Sequence, residues 1–142
     1  MTRADWQLIA EERLLAAQAL LAAHLWTSGY YLVGYAVEAG LKSRILVRIE
    51  KSPEVLFQDG GSKFSSDCWS HDLEKLVRLG GLEAIRATDI AVNVALANNW
   101  GVVARWNEKS RYQVKSQAEA EELYNAIQDG TNGVMQWIRI HW

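Results

Sequence analysis

Leu25-Trp26-Thr27-Ser28-Gly29-Tyr30-Tyr31-Leu32-Val33-Gly34-Tyr35-Ala36-Val37-Glu38-Ala39-Gly40-Leu41 decides the reading of the fold. Glu38 is the only charge in this run, and no sustained alternation of polar and apolar residues marks a strand. Continued through Lys42, Arg44 and Arg48, the run predicts one helix over roughly Ser28 to Ile49. Its first half is apolar on every side, the pattern of a helix surrounded by other helices. Its basic second half places positive side chains near the C-terminus, where they suit the helix dipole. Three tyrosines, three glycines, a threonine, a serine and a carboxylate make the run too short and too polar to span a membrane.

The flanking sequence is rich in Ala, Leu and Glu, which favours helix. Upstream, a first helix is predicted from Ala4 to Ala23. Leu8, Leu15, Ala19 and Ala22 mark one face, Ile9, Leu14 and Leu21 widen it, and Glu11, Glu12 and Arg13 face water. Downstream, Lys51 to Ser70 holds the single proline, Pro53, together with Gly60, Gly61 and several serines, and reads as a loop. Ser70-His71-Asp72 opens a short helix with Ser70 as N-cap, and Gly80-Gly81 closes it. A fourth helix is expected from Thr88 to Asn98, and a second loop from Asn107 to Lys115. Ser116-x-x-Glu119 is a capping-box pattern that opens the last helix. Leu123, Ile127, Val134, Ile138 and Trp142 keep one register across Asp129-Gly130-Thr131-Asn132-Gly133, so one long helix is expected there. The fold class is all-α: an up-and-down bundle of four to five helices, one domain over residues 1–142, its core formed by the first, second and last helices.

Composition narrows the function classes. About half of the residues are apolar (49%), enough for a core at this length, and the net charge of -2 gives no global field for DNA or a membrane. Cys68 is the single cysteine, so no internal disulfide forms. No pair among His24, His71 and His141 has metal-ligand spacing, and neither Gly60-Gly61 nor Gly80-Gly81 lies in a phosphate-loop pattern. No metal and no cofactor are expected. Asp5, Glu11, Glu12 and Arg13 stand where a secretory signal would be apolar, so a cytoplasmic protein is expected.

Two constellations bear on chemistry. Tyr31, Tyr35, Glu38 and Lys42 fall at helical spacing on one face. A carboxylate on an apolar helix is costly unless paired, so this face is either a polar lock between helices or the lining of an interhelical pocket. From Trp100 to Tyr112 and just beyond, Arg105, Lys109, Arg111 and Lys115 lie close together with Trp106 and Tyr112 between them, a pattern suited to phosphate contact with base stacking. Arg111 equally suits a buried pairing with Glu38 or Asp72. His71 and Asp72 are adjacent, which on a helix points them about 100° apart and does not make a dyad. No nucleophile has a base at a telling spacing, so no catalytic residue is assigned.

Three ordered blocks resemble the HEPN family: Tyr31 to Lys42; His71-Asp72-Leu73-Glu74-Lys75-Leu76 with Gly81-Leu82; and Arg111-Tyr112 before the capped helix. The likeness spans roughly Leu14 to Ile140. It implies an up-and-down helical bundle, usually dimeric, with family roles that include partnership with a minimal nucleotidyltransferase, toxin–antitoxin function, nucleotide binding and RNA cleavage. Ribonuclease members carry an arginine four to six residues before a histidine. Here Arg139 is two residues before His141 and Arg13 eleven before His24, so that motif is absent. Trp100 and Trp106 stand where the family often has tyrosines. The expectation is therefore a homodimeric partner or binding module, with a nucleotidyltransferase as possible protein partner and a nucleotide or RNA as ligand. Its ligand-binding residues would be Tyr35, Glu38, Lys42, His71, Asp72, Arg105, Arg111 and Tyr112. The alternative is a ribonuclease toxin with a non-standard residue set drawn from Glu38, His71, Arg105, Arg111 and Tyr112.

Overall fold

The computed structural model describes residues 1–57 and 62–142. Within them the chain forms an all-α bundle of eight α-helices with no strand, against the four or five helices expected. They are α1 (Arg3–Ala22), α2 (Trp26–Lys51), α3 (Ser62–Cys68), α4 (Leu73–Leu79), α5 (Glu83–Val92), α6 (Val94–Val103), α7 (Gln117–Gln128) and α8 (Val134–His141). Short 3-10 helices cover Pro53–Leu56 and Glu108–Tyr112. Both predicted loops thus carry helical turns, and Lys51–Ser70 also contains α3. The Gly60-Gly61 pair of the first loop lies outside the described residues.

Helix α2 is the axis of the bundle. It packs against α1, α4, α7, α8 and the Glu108–Tyr112 turn, which explains why its apolar residues run all the way round. Val33, Ala36, Val37 and Leu41 have no exposed surface. Two glycines let neighbours approach its backbone. A Cβ on Gly34 would lie 2.1 Å from the Trp106 ring, and one on Gly40 would lie 2.9 Å from Ile138. The basic half of α2 serves other helices rather than its own end. Arg44 donates to Gly80 O (2.9 Å) and His141 O (3.2 Å), and Arg48 donates to Leu79 O (2.7 Å). These guanidinium groups satisfy carbonyls that the ends of α4 and α8 leave open.

Helix α1 returns along α2 after a tight connection in which His24 takes a positive φ of 61° and stacks on Trp26. The buried stripe of α1 is Ala10, Leu14 and Ala17, flanked by Trp6, Ile9 and Leu21. This corrects the predicted face: Leu8 and Leu15 are 60% and 65% exposed, and Ala19 and Ala22 share their side. Apolar residues lie on both faces of α1, so periodicity alone did not choose between them. A capping box closes its N-terminus, Thr2 Oγ1 accepting from Asp5 N and Asp5 Oδ2 accepting from Thr2 N (2.7 Å).

Both later helices expected to be continuous are broken, each by a short polar side chain that competes for backbone hydrogen bonds. The fourth helix is α5 and α6, divided at Asn93, whose Oδ1 caps α6 by accepting from Leu96 N (3.0 Å). The last helix is α7 and α8. Asp129 Oδ1 accepts from Thr131 N (2.9 Å) and Asn132 N (2.6 Å), turning the chain out of α7, and these bonds hold its carboxyl pKa below the usual range. The breaks meet: Asn93 donates to Asn132 Oδ1 (2.9 Å) and Asn99 to Asn132 O (2.8 Å). Leu123, Ile127, Val134 and Ile138 are nonetheless all fully buried, because the five-residue turn returns α8 to the face that α7 left. No helix among the described residues is long and apolar enough to cross a membrane.

Candidate functional site

Glu38 sits at the middle of α2 and is 4% exposed. Lys42, one turn further on and 6% exposed, donates from Nζ to Glu38 Oε1 at 2.7 Å. On the other side of the same carboxylate, His71 Nδ1 lies 3.0 Å from Oε2 and 3.1 Å from Oε1. The carboxylate accepts, so Nδ1 is the ring nitrogen that donates to Glu38, and Nε2 points the other way. The His71 side chain is 45% exposed, and Glu108 Oε2 stands 3.8 Å from Nε2. The resulting line of groups is Lys42, Glu38, His71, Glu108: it starts inside the bundle and ends at the surface.

The local sequence positions His71 in a simple way. Asp72, rather than Ser70, is the N-cap of α4 and accepts from Glu74 N (3.0 Å) and Lys75 N (3.2 Å), while Ser70 Oγ accepts from Asp72 N (3.1 Å). The carboxylate of Asp72 is thus occupied by the backbone, and His71, one residue before it, turns to Glu38. Tyr35 frames the imidazole, its ring meeting His71 edge-on at 5.9 Å and Trp106 at 5.1 Å. Burial, then a hydrogen bond from Tyr31 (3.1 Å between phenol oxygens), pushes the Tyr35 phenol pKa up, so it stays neutral.

Trp106 fixes the far wall. Its indole N–H donates to Tyr31 O at 3.2 Å while its ring covers Gly34. This pins the Glu108–Tyr112 turn to α2. The cleft between that turn, α4 and α6 has a volume of about 560 Å³ and is lined by His71, Asp72, Glu74, Trp100, Asn107, Glu108 and Lys109, among others. Glu74 is held by Arg86, whose guanidinium also lies over the Trp100 ring (4.7 Å). The buried indole N–H of Trp100 has no acceptor among the described residues.

The predicted site residues do not form one pocket. Glu38 is behind the cleft rather than in it, joined to it through His71. Lys42 lines a different groove, between α1, α2 and α3. Arg105 is at a third place, an opening of about 90 Å³ that it shares with Tyr30, Lys115 and Glu122; it pairs with Glu122 at 3.1 Å. Arg111 is exposed, its guanidinium over Tyr112 (4.8 Å) and its pKa raised first by a hydrogen bond with Tyr31. It pairs with neither Glu38 nor Asp72, which corrects the sequence expectation: the slot beside Glu38 is filled by Lys42 and His71. Of the two aromatics interleaved with the basic residues, Trp106 is buried and only Tyr112 is open for stacking. Glu108 and Asn107 escaped the sequence reading because nothing marks them apart from other polar loop residues. Among the described residues, no cluster of histidine, cysteine and carboxylate side chains has the geometry to hold a metal ion.

No protein-family model matches the chain, and neither a curated protein nor a solved structure matches it.

Proposed function

We propose that the chain is a HEPN-type binding module whose ligand enters the cleft at His71. The observation that carries this reading is the placement of Glu38. A buried carboxylate, neutralised by Lys42 from behind, holds His71 by Nδ1 and leaves Nε2 toward the cleft. A packing lock alone needs only the Glu38–Lys42 pair; the half-exposed third member is what a polar ligand would meet. The cleft volume is that of a small-molecule site. Asn107 and Glu108 offer hydrogen bonds for a nucleobase edge and Lys109 a cation for phosphate, which favours a nucleotide or an RNA end. The order of Tyr31–Lys42, His71–Leu76 and Arg111-Tyr112 supports the family reading, and with it a homodimer, a nucleotidyltransferase-linked partner and a toxin–antitoxin type system.

A thermal-shift titration with nucleoside mono-, di- and triphosphates tests the ligand. A ligand present at a hundredfold its Kd stabilises the folded state by about 2.7 kcal/mol, a rise of several degrees. The shift should disappear in His71→Ala. A flat response across all nucleotides at millimolar concentration overturns the nucleotide reading. The partnership is tested by light scattering with and without a nucleotidyltransferase encoded beside this chain; a monomer at micromolar concentration that binds no such protein rejects it.

One observation favours an enzymatic second reading. An imidazole held by a carboxylate through one nitrogen, with the other toward a cleft, is the arrangement of a general base. In that reading His71 and Glu38 replace the absent Arg–His motif, and Arg105, tied to Glu122, plays no part. Growth inhibition on expression that His71→Ala relieves would support it; RNA left intact by the purified protein would remove it.

A further inference from the structure

The groove that Lys42 lines is separate from the His71 cleft and has its own character. Its walls are Trp6, Ile45, Ile49, Leu56, Phe64 and Trp69, and its volume is about 260 Å³. Among the described residues, the one charged side chain in this lining is that of Lys42, which is buried, and Met1 lines the groove as well. An ammonium has three donors. Among the described residues one is used, on Glu38 Oε1. Around the rest of the ammonium are the rings of Trp6 and Trp69, with centroids 5.2 and 5.9 Å from Nζ. Aromatic faces attract a cation, but they accept no full hydrogen bond.

Two neighbouring carboxylates are engaged elsewhere. Glu50, next to Ile49, pairs with Arg3 at 3.2 Å, and Asp67, next to Cys68, pairs with Lys75 at 3.2 Å. Cys68, also in the groove wall, is kept neutral because burial raises its thiol pKa. Trp69 at the rim is 68% exposed, a large apolar surface beside the opening.

We propose that this groove binds a small amphipathic carboxylate, its head on the Lys42 ammonium and its apolar body between Trp6, Ile49, Phe64 and Trp69. The ammonium then bridges two carboxylates, Glu38 inside and the ligand outside, while the ligand tail covers apolar wall now facing water. The volume lies just below the roughly 300 Å³ at which drug-sized pockets begin, so a medium-chain acid fits better than a folded partner. The groove shares no lining residue with the His71 cleft, and the two meet only through the Lys42–Glu38 pair.

The test titrates the full chain at pH 7.5 with octanoate and, in parallel, with 1-octanol, following tryptophan emission and the melting temperature. Octanoate should saturate, shift the emission and bind at least tenfold more tightly than the alcohol. Equal binding of the two shows an apolar groove in which the ammonium does nothing, and no binding of octanoate shows no site; either overturns the proposal. Lys42→Met should abolish octanoate binding, but it leaves Glu38 without its ammonium and can unfold the chain. Trp69→Ala alters only the exposed rim, keeps the fold, and should weaken octanoate several-fold. Unchanged affinity in a folded Lys42→Met chain would also refute the assignment.

Discussion

Replacing Glu38 by alanine tests the central feature of the bundle. The carboxylate accepts from Lys42 Nζ at 2.7 Å and holds His71 Nδ1 at 3.0 Å. The two partners are not equally dependent on it. His71 is nearly half exposed and regains water. Lys42 is 6% exposed, and in the variant its ammonium keeps only two indole faces. Leaving one member of a buried ion pair uncompensated costs on the order of 3 to 5 kcal/mol, and removing both often costs little. Glu38→Ala should therefore lose about 3 kcal/mol in urea unfolding, roughly 10 °C in Tm for a chain of this size. Glu38→Leu combined with Lys42→Met should recover most of that loss, to within about 1 kcal/mol of the parent. The cycle is the decisive measurement, because a plain packing defect would make the two changes additive. A single-variant cost below about 1 kcal/mol, or a double variant as unstable as the sum, would show that Glu38 is hydrated and would remove the support behind His71.

Gly34→Ala should be among the most damaging single-methyl additions, since the new Cβ would lie 2.1 Å from a Trp106 ring that is itself buried; a loss of about 3 kcal/mol is expected, and an unchanged Tm would mean that Trp106 moves freely. His141→Gln should flatten the acid side of the stability curve. Burial first, then Arg44, lowers the pKa of His141 in the folded state, so its contribution is complete above about pH 6.5 and falls as the pH drops toward the folded value. Between pH 7.5 and 5.5 the parent should lose more stability than the variant, and equal losses would contradict the assignment. Ser116→Ala should cost about 1 kcal/mol by opening the capping box with Glu119, read by urea unfolding; no change would mean that water replaces the cap.

The all-α fold was legible because its strongest signal is local. A run with one charge in seventeen residues has to be enclosed, and an Ala- and Leu-rich chain encloses it with helices. The capping box at Ser116 was equally readable, because it needs only two residues at fixed spacing. The two helix breaks were less so. Asn93 stands in an apolar run and Asp129 in a turn-rich one, yet the hydrophobic register passes through both. Periodicity reports which residues face the core, not whether the backbone between them is continuous. The face of α1 failed for the opposite reason: Leu8 and Leu15 keep a helical period, but so do Ala10, Leu14 and Ala17, and the close approach to α2 selected the smaller set.

The candidate site shows the same division between local and long-range information. Glu38 and Lys42 are one turn apart, so their pairing was available from spacing. The third member comes from thirty-three residues away, and no spacing rule reaches that far. Adjacency does not pair His71 with Asp72, and a carboxylate just before a helix is better spent on amides that have no other acceptor. Once Asp72 caps α4, the imidazole turns to Glu38, whose second oxygen is free of Lys42. Arg111, long and fully charged, was the other candidate for that slot. It stays outside with Tyr31 and Tyr112, because Lys42 and His71 already occupy the two oxygens of Glu38. Gly34 bears on the cleft as well, because the Trp106 ring that covers it pins the Glu108–Tyr112 turn to α2.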